Sequence, residues 1–110
     1  MRIYVAGPMS IGDMESNIRQ AINAADWLIK LGHVPFVPHL THFWNLMSPH
    51  SWETWLKIDE SWILVCDCLV RLPGESRGAD REMAFCGANN IPVYVGMGAL
   101  MDALNLDHDD

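Results

Sequence analysis

Three short segments of this chain carry residue types that could act on a small molecule. The first is Tyr4-Val5-Ala6-Gly7-Pro8. A hydroxyl-bearing side chain there precedes a glycine that lets backbone approach a ligand. The glycine triplet of a dinucleotide-binding turn is missing. The second is Pro73-Gly74-Glu75-Ser76-Arg77-Gly78-Ala79-Asp80-Arg81-Glu82. A small-residue turn feeds a helix start, whose free amides favour an anion. Ser76 can cap that helix and also bond a phosphate oxygen, and Arg77 or Arg81 can add charge. Glu82 falls within the first turns of the same helix. The third is Asp59, in Leu56-Lys57-Ile58-Asp59-Glu60-Ser61-Trp62. Taken singly, each has an ordinary reading: a core tyrosine with its hydroxyl satisfied, a glutamate favoured by the helix dipole, a solvated aspartate.

Metal chemistry is not indicated. The three cysteines, Cys66, Cys68 and Cys86, are an odd number and read as free core residues of a reducing compartment. Joined to His39, His42 or His50 they match none of the familiar zinc spacings.

The elements that must hold these residues follow from periodicity. Met1 to Ala6 reads as a buried strand, ended by Gly7-Pro8. After a polar loop from Ile11 to Ser16, the residues Ile18, Ala21, Ile22, Ala25, Leu28 and Ile29 form one apolar helical stripe. Ser16 or Asn17 can cap its start and Gly32 ends it. Val34 to Val37 is a second short strand. His39 to His50 reads as an irregular segment, long enough to be functional. Ser51 can cap a helix to about Val65. Cys68 to Leu72 is a third strand, a helix opens between Ser76 and Gly78 and runs to about Ala88, and Ile91 to Val95 is a fourth strand. Gly98 to Leu104 reads as a last short helix.

Strands that alternate with helices and lack polar alternation predict a parallel sheet covered on both faces. The expected fold is α/β: a flavodoxin-like three-layer sandwich with four or five parallel strands and strand one central. Ligands of such sheets sit beyond the carboxyl ends of the strands. That selects Gly7-Pro8-Met9, the His/Trp segment after strand two, and Pro73 to Gly78.

With 110 residues the chain fits one domain, expected over residues 1–106, with an acidic tail over 107–110. A net charge of −7 opposes binding to a nucleic acid polymer. No run is long enough to span a bilayer, and the N-terminus resembles neither a leader nor a transit peptide, so a cytoplasmic protein is expected. Five tryptophans and seven methionines are more large apolar side chains than so small a domain easily hides. A homodimer or higher homo-oligomer is therefore expected, with the helix from Ser51 to Val65 as its interface.

The order of the pieces is more specific than any one of them. A strand with Tyr-x-Ala-Gly-Pro is followed by an amphipathic helix closing at Leu31-Gly32-His33, then Asp59, an apolar strand beginning after Cys66-Asp67, and Pro-Gly-x-Ser-x-Gly-Ala-x-x-Glu. This resembles the nucleoside 2-deoxyribosyltransferase superfamily, which includes base-exchanging transferases and nucleoside 5′-monophosphate N-glycosidases. The resemblance covers roughly Met1 to Val95, most specifically the Tyr-x-Ala-Gly-Pro and Ser-x-Gly-Ala-x-x-Glu segments. It implies that Glu82 is the nucleophile at the anomeric carbon, that Tyr4 orients it, and that Asp59 contacts or protonates the base. Ser76 falls where transferases acting on free nucleosides typically carry an acidic residue; the monophosphate hydrolases resemble this chain in having serine there, facing the 5′-phosphate. Gly7, Pro8, Arg77, Gly78, Ala79 and His39 complete the implied substrate contacts. The chain is shorter than the transferases and shows no clear counterpart of the C-terminal residue with which one of their subunits completes its neighbour's pocket.

The chemistry accounts for these residue types. Breaking an N-glycosidic bond puts positive charge on the sugar and negative charge on the leaving base. One carboxylate stays ionised beside the anomeric carbon and a second carboxyl holds a proton for the base, the logic of glycoside hydrolysis with nitrogen in place of oxygen. No metal or cofactor is needed. The expected function is cleavage of the base–sugar bond of a (deoxy)nucleoside 5′-monophosphate, with base exchange as its sibling. The alternative from another class is a non-catalytic binder of nucleotides or nucleotide-derived signals. A weaker third reading is cleavage of a nicotinamide N-glycosidic bond in a dinucleotide, for whose second half the short chain leaves little room.

Overall fold

The first strand, β1 (Arg2–Ala6), is apolar on both faces, and that property places it inside a sheet rather than at an edge. It pairs in parallel with β2 (Val34–Phe36) on one side and β3 (Cys68–Arg71) on the other, and β3 pairs in parallel with β4 (Val93–Val95). The sheet order is β2-β1-β3-β4. This is a flavodoxin-like α/β sandwich with four strands, the lower of the two expected counts, and β1 is internal as expected. The computed structural model describes the backbone of residues 1–108 and the side chains of residues 1–105.

Alternation along β1 sorts the core into two layers. Ile3 and Val5 face one way, with Cys68 and Val70 of β3, and meet Ala21, Ala24 and Leu28 of α1 (Met14–Lys30) and Leu100 and Leu104 of α5 (Met97–His108). Tyr4, Ala6 and Leu69 face the other way, onto Ile63 of α3 (Trp52–Ile63) and Ala79 and Cys86 of α4 (Arg77–Ala88). Cys68 and Cys86 are thus buried free thiols, and Cys66 is half-buried. The even-numbered face of β1 carries Tyr4, so Tyr4 lies under the two helices that bear Asp59 and Glu82.

Several boundaries differ from the sequence expectation. Helix α1 starts at Met14, not Asn17. Asn17 does not cap it; its Nδ2 donates to the carbonyls of Met9 and Ile11 at 3.0 and 2.7 Å and pins the preceding loop. The buried stripe of α1 is Ala21, Ala24, Ala25 and Leu28, whereas Ile22 and Ile29 are exposed. The segment expected to be irregular is mostly helical: a 3-10 turn at Pro38–Leu40 leads into α2 (Thr41–Met47). Helix α5 runs past Leu104 to His108, so it includes the first half of the expected tail; residues 109–110 lie outside the described residues. Strand β4 is shorter than expected, beginning at Val93.

Candidate active site

Three connections at the carboxyl edge of the sheet enclose a pocket of about 550 Å³. The turn after β1 contributes Gly7 and Met9, the segment after β2 contributes His39, His42 and Asn45, and the turn after β3 contributes Ser76 to Ala79. Helix α3 supplies Trp52, Trp55, Leu56 and Asp59, which recur at helical spacing and form the stripe that faces the cavity. This is the location that doubly wound sheets reserve for ligands.

Glu82 is buried at the floor of the pocket, one turn into α4. Tyr4 donates its hydroxyl hydrogen to Glu82 Oε2 at 2.5 Å. The bond joins residues 78 positions apart, and it exists because β1 directs alternate side chains toward α4. Asp59, from the buried stripe of α3, completes the group, and its Oδ1 is buried without a hydrogen-bond partner among the described residues. Tyr4 stacks on Phe36 of β2, which stacks in turn on Trp62, so one face of the phenol ring is held by the fold rather than by the pocket.

Burial dominates the electrostatics of this group. It pushes Glu82 up to about 8, opposed by the Tyr4 hydrogen bond and reinforced by the charge of Asp59. It pushes Asp59 up to about 7, opposed by Tyr4 and Glu82. Tyr4 is raised well above its usual range by burial and by both carboxylates. Two carboxyl groups in one desolvated cavity titrate as a pair rather than singly. Around neutral pH the pair therefore holds one proton between them. The hydrogen bond from Tyr4 eases ionisation of Glu82, yet burial leaves Glu82 the less acidic of the two, about 8 against about 7 for Asp59.

The other wall is built for an anion. Ser76 is the N-cap of α4, and its Oγ accepts from the Ala79 amide at 3.1 Å. That bond uses the Ala79 amide, which the sequence reading had available for a ligand. The amides of Arg77 and Gly78 have no protein partner among the described residues, and the Ser76 hydroxyl keeps its own proton to donate. Arg77 lies with its guanidinium 5.4 Å from the centre of the Trp52 ring and forms no ion pair among the described residues, whereas Arg81 is held by Glu53 at 2.9 Å. Gly74 shapes the turn before this wall. Its φ is +115° and a Cβ there would meet Pro8 Cγ at 2.6 Å, so only glycine allows the two turns to close on each other. Arg71, buried beneath, donates to the carbonyls of Leu72 and Gly74 and to Asp80 and fixes the same turn.

His39 is buried against the first turn, with Nε2 3.1 Å from the Pro8 carbonyl. The carbonyl can only accept, so Nε2 carries the hydrogen. Burial lowers the pKa of the ring and keeps it neutral. Its Nδ1 has no partner among the described residues. His42 also lines the pocket, but His50 does not; it packs edge-on against Trp44 and Trp55. Pro8 is drawn in through its carbonyl and through Gly74 rather than by lining the cavity.

The sequence reading did not single out Asn45, Ser10, Thr41 or Leu56, all of which line the pocket, whereas Met9, which it selected, lines it as expected. On the helix expected to form a subunit interface, Trp52 and Trp55 line the cavity and Trp62 lies outside it. No group of His, Cys, Asp and Glu among the described residues is arranged to hold a metal ion. No helix among them is long and apolar enough to cross a membrane.

A search of curated proteins finds no match. Among solved structures, the chain is similar to a 2-deoxyribosyltransferase from the psychrotolerant bacterium Bacillus psychrosaccharolyticus. The identity is 22%, the TM-score 0.55, and the match covers 84% of this chain and 69% of that one. At that distance the two share a fold, and this chain has a 2-deoxyribosyltransferase-like one. Residues 1–95 match the family model described as a domain of unknown function, DUF4406, and the chain belongs to that family.

Proposed function

We propose that this protein is an N-glycosidase of (deoxy)nucleoside 5′-monophosphates. The observation that carries the reading is the Tyr4–Glu82 hydrogen bond beside Asp59 in a ligand-sized pocket. Nothing in the packing of strands or helices calls for two carboxyl groups and a phenol to be buried together, and burying them costs stability. Their arrangement suits a reaction in which a cation forms at one atom and an anion leaves from another.

In this reading the Glu82 carboxylate attacks the anomeric carbon as the base departs, and Tyr4 holds its Oε2 so that the other oxygen points at the sugar. The proton shared by the pair is delivered from Asp59 to the leaving base. Water then attacks the glycosyl–Glu82 ester, restoring the carboxylate and giving a sugar phosphate; a second base in place of water gives base exchange. The 5′-phosphate lies against Ser76 and the free amides of Arg77 and Gly78, with Arg77 as its counter-charge. The solved 2-deoxyribosyltransferase of the same fold supports glycosyl transfer as the reaction class. The activity is tested by incubating the protein with nucleotides and nucleosides and separating free base by chromatography.

A further inference from the structure

We propose that Asn45 selects the base, and that it favours bases that present an exocyclic oxygen over those that present an amino group. The proposal deepens the nucleotide reading of the pocket and rests on it. Asn45 Oδ1 accepts two hydrogen bonds, from Trp55 Nε1 at 2.7 Å and from the His50 amide at 2.9 Å. Both donors are incapable of accepting, so they fix which end of the side-chain amide is oxygen. The hydrogen-bonding capacity left to Asn45 is therefore two N–H donors, and Nδ2 has no protein partner among the described residues. The side chain lines the pocket.

Sheet order locates Asn45 at the base end. The order β2-β1-β3-β4 puts the connection after β2 on one side of the β1 turn and the connection after β3 on the other. Ser76 to Ala79 follow β3 and form the anion wall, Tyr4 and Glu82 lie between, and Asn45 follows β2. A nucleotide with its phosphate at Ser76 and its anomeric carbon over Glu82 extends its base toward Asn45. Trp55 and Asp59 are one helical turn apart on α3, so the Asn45 amide lies about one side chain beyond the proton donor, within the breadth of a base. A donor fixed in this way rewards an acceptor on the base edge and is left facing a second donor when an amino group replaces it.

The test is equilibrium binding and cleavage of four 2′-deoxynucleoside 5′-monophosphates, those of hypoxanthine, adenine, uracil and cytosine, by the wild type and by two variants. Asn45→Asp keeps the oxygen that Trp55 and His50 bond and exchanges the donors for an acceptor. Asn45→Ala removes both. The wild type should bind the hypoxanthine and uracil nucleotides at least about tenfold more tightly than their amino counterparts. Asn45→Asp should reverse that order, and Asn45→Ala should bring each pair within about threefold. Equal binding of each pair by the wild type, or an unchanged ratio in Asn45→Asp, would overturn the role of Asn45. Discriminating binding without release of base would leave that role standing and remove the glycosidase reading. Failure of all four nucleotides to bind would remove both.

Discussion

Tyr4 and Glu82 meet through a hydrogen bond of 2.5 Å at the point where the central strand passes beneath the first turns of α4. The bond fixes one oxygen of a carboxyl group that is buried beside Asp59, and it eases the ionisation of that carboxyl.

Removing the buried charge should stabilise the protein in a pH-dependent way. Glu82 titrates near 8 in the folded chain against an ordinary value of 4.5. Between those values the folded state retains a proton that the unfolded chain has lost, so stability falls as pH rises through this window. Glu82→Gln abolishes that term while keeping an acceptor for Tyr4. Its melting temperature should exceed that of the wild type by about 5 °C or more at pH 8, and the difference should vanish near pH 4. A constant difference across that range would mean that Glu82 is ionised throughout.

Cleavage should show a bell-shaped dependence of kcat/KM on pH. When both carboxyls are protonated no nucleophile is available, and when both are ionised no proton remains for the base. With Asp59 near 7 and Glu82 near 8, the maximum should fall between about 7 and 8. Asp59→Asn should lose the alkaline limb, and activity should fall most for bases that need protonation to leave.

The phosphate wall is tested by Ser76→Asp, which places a carboxylate where the anion would lie. Monophosphates should lose at least about tenfold in kcat/KM, and free nucleosides should lose much less. Equal loss on both would show that this turn does not contact the phosphate.

Association of copies is expected from the surface. Phe43, Trp44, Leu46 and Met47 of α2 are exposed, Met47 by 90%, and Trp62, Leu64 and Val65 at the end of α3 are exposed as well. Exposed apolar side chains of this size and number commonly mark a protein interface. Light scattering at micromolar concentration should give at least twice the 12.4 kDa chain mass. A monomer would contradict the expectation.

The parallel sheet was legible in the sequence because its strands are apolar on both faces and separated by helices that end at Gly32 and at Asn89-Asn90. The likeness to glycosyl-transferring proteins was legible because Tyr4-x-Ala6-Gly7-Pro8 and Ser76-x-Gly78-Ala79-x-x-Glu82 are compact patterns. Asp59 was legible only through that likeness, since its neighbours on α3 resemble those of any solvated aspartate. Helix α2 was not legible. None of its residues is fully buried, so no apolar stripe marks its period. Asn45 was equally hidden, because its importance comes from a Trp55 ring ten residues away that only the folded chain brings to it. The start of α1 was misplaced because Asn17, a good cap by type, spends its side chain on the loop before it.

The most direct test of the glycosidase reading is release of free base from 5′-monophosphates by the wild type and by Glu82→Gln, followed by chromatography at pH 7.5. The wild type should release base and sugar phosphate in equal amounts, and Glu82→Gln, folded and at least as stable, should be slower by about a thousandfold or more. Equal rates for the two proteins, or no release by the wild type from any nucleotide or nucleoside, would contradict a catalytic Glu82 and leave a pocket that binds without turnover.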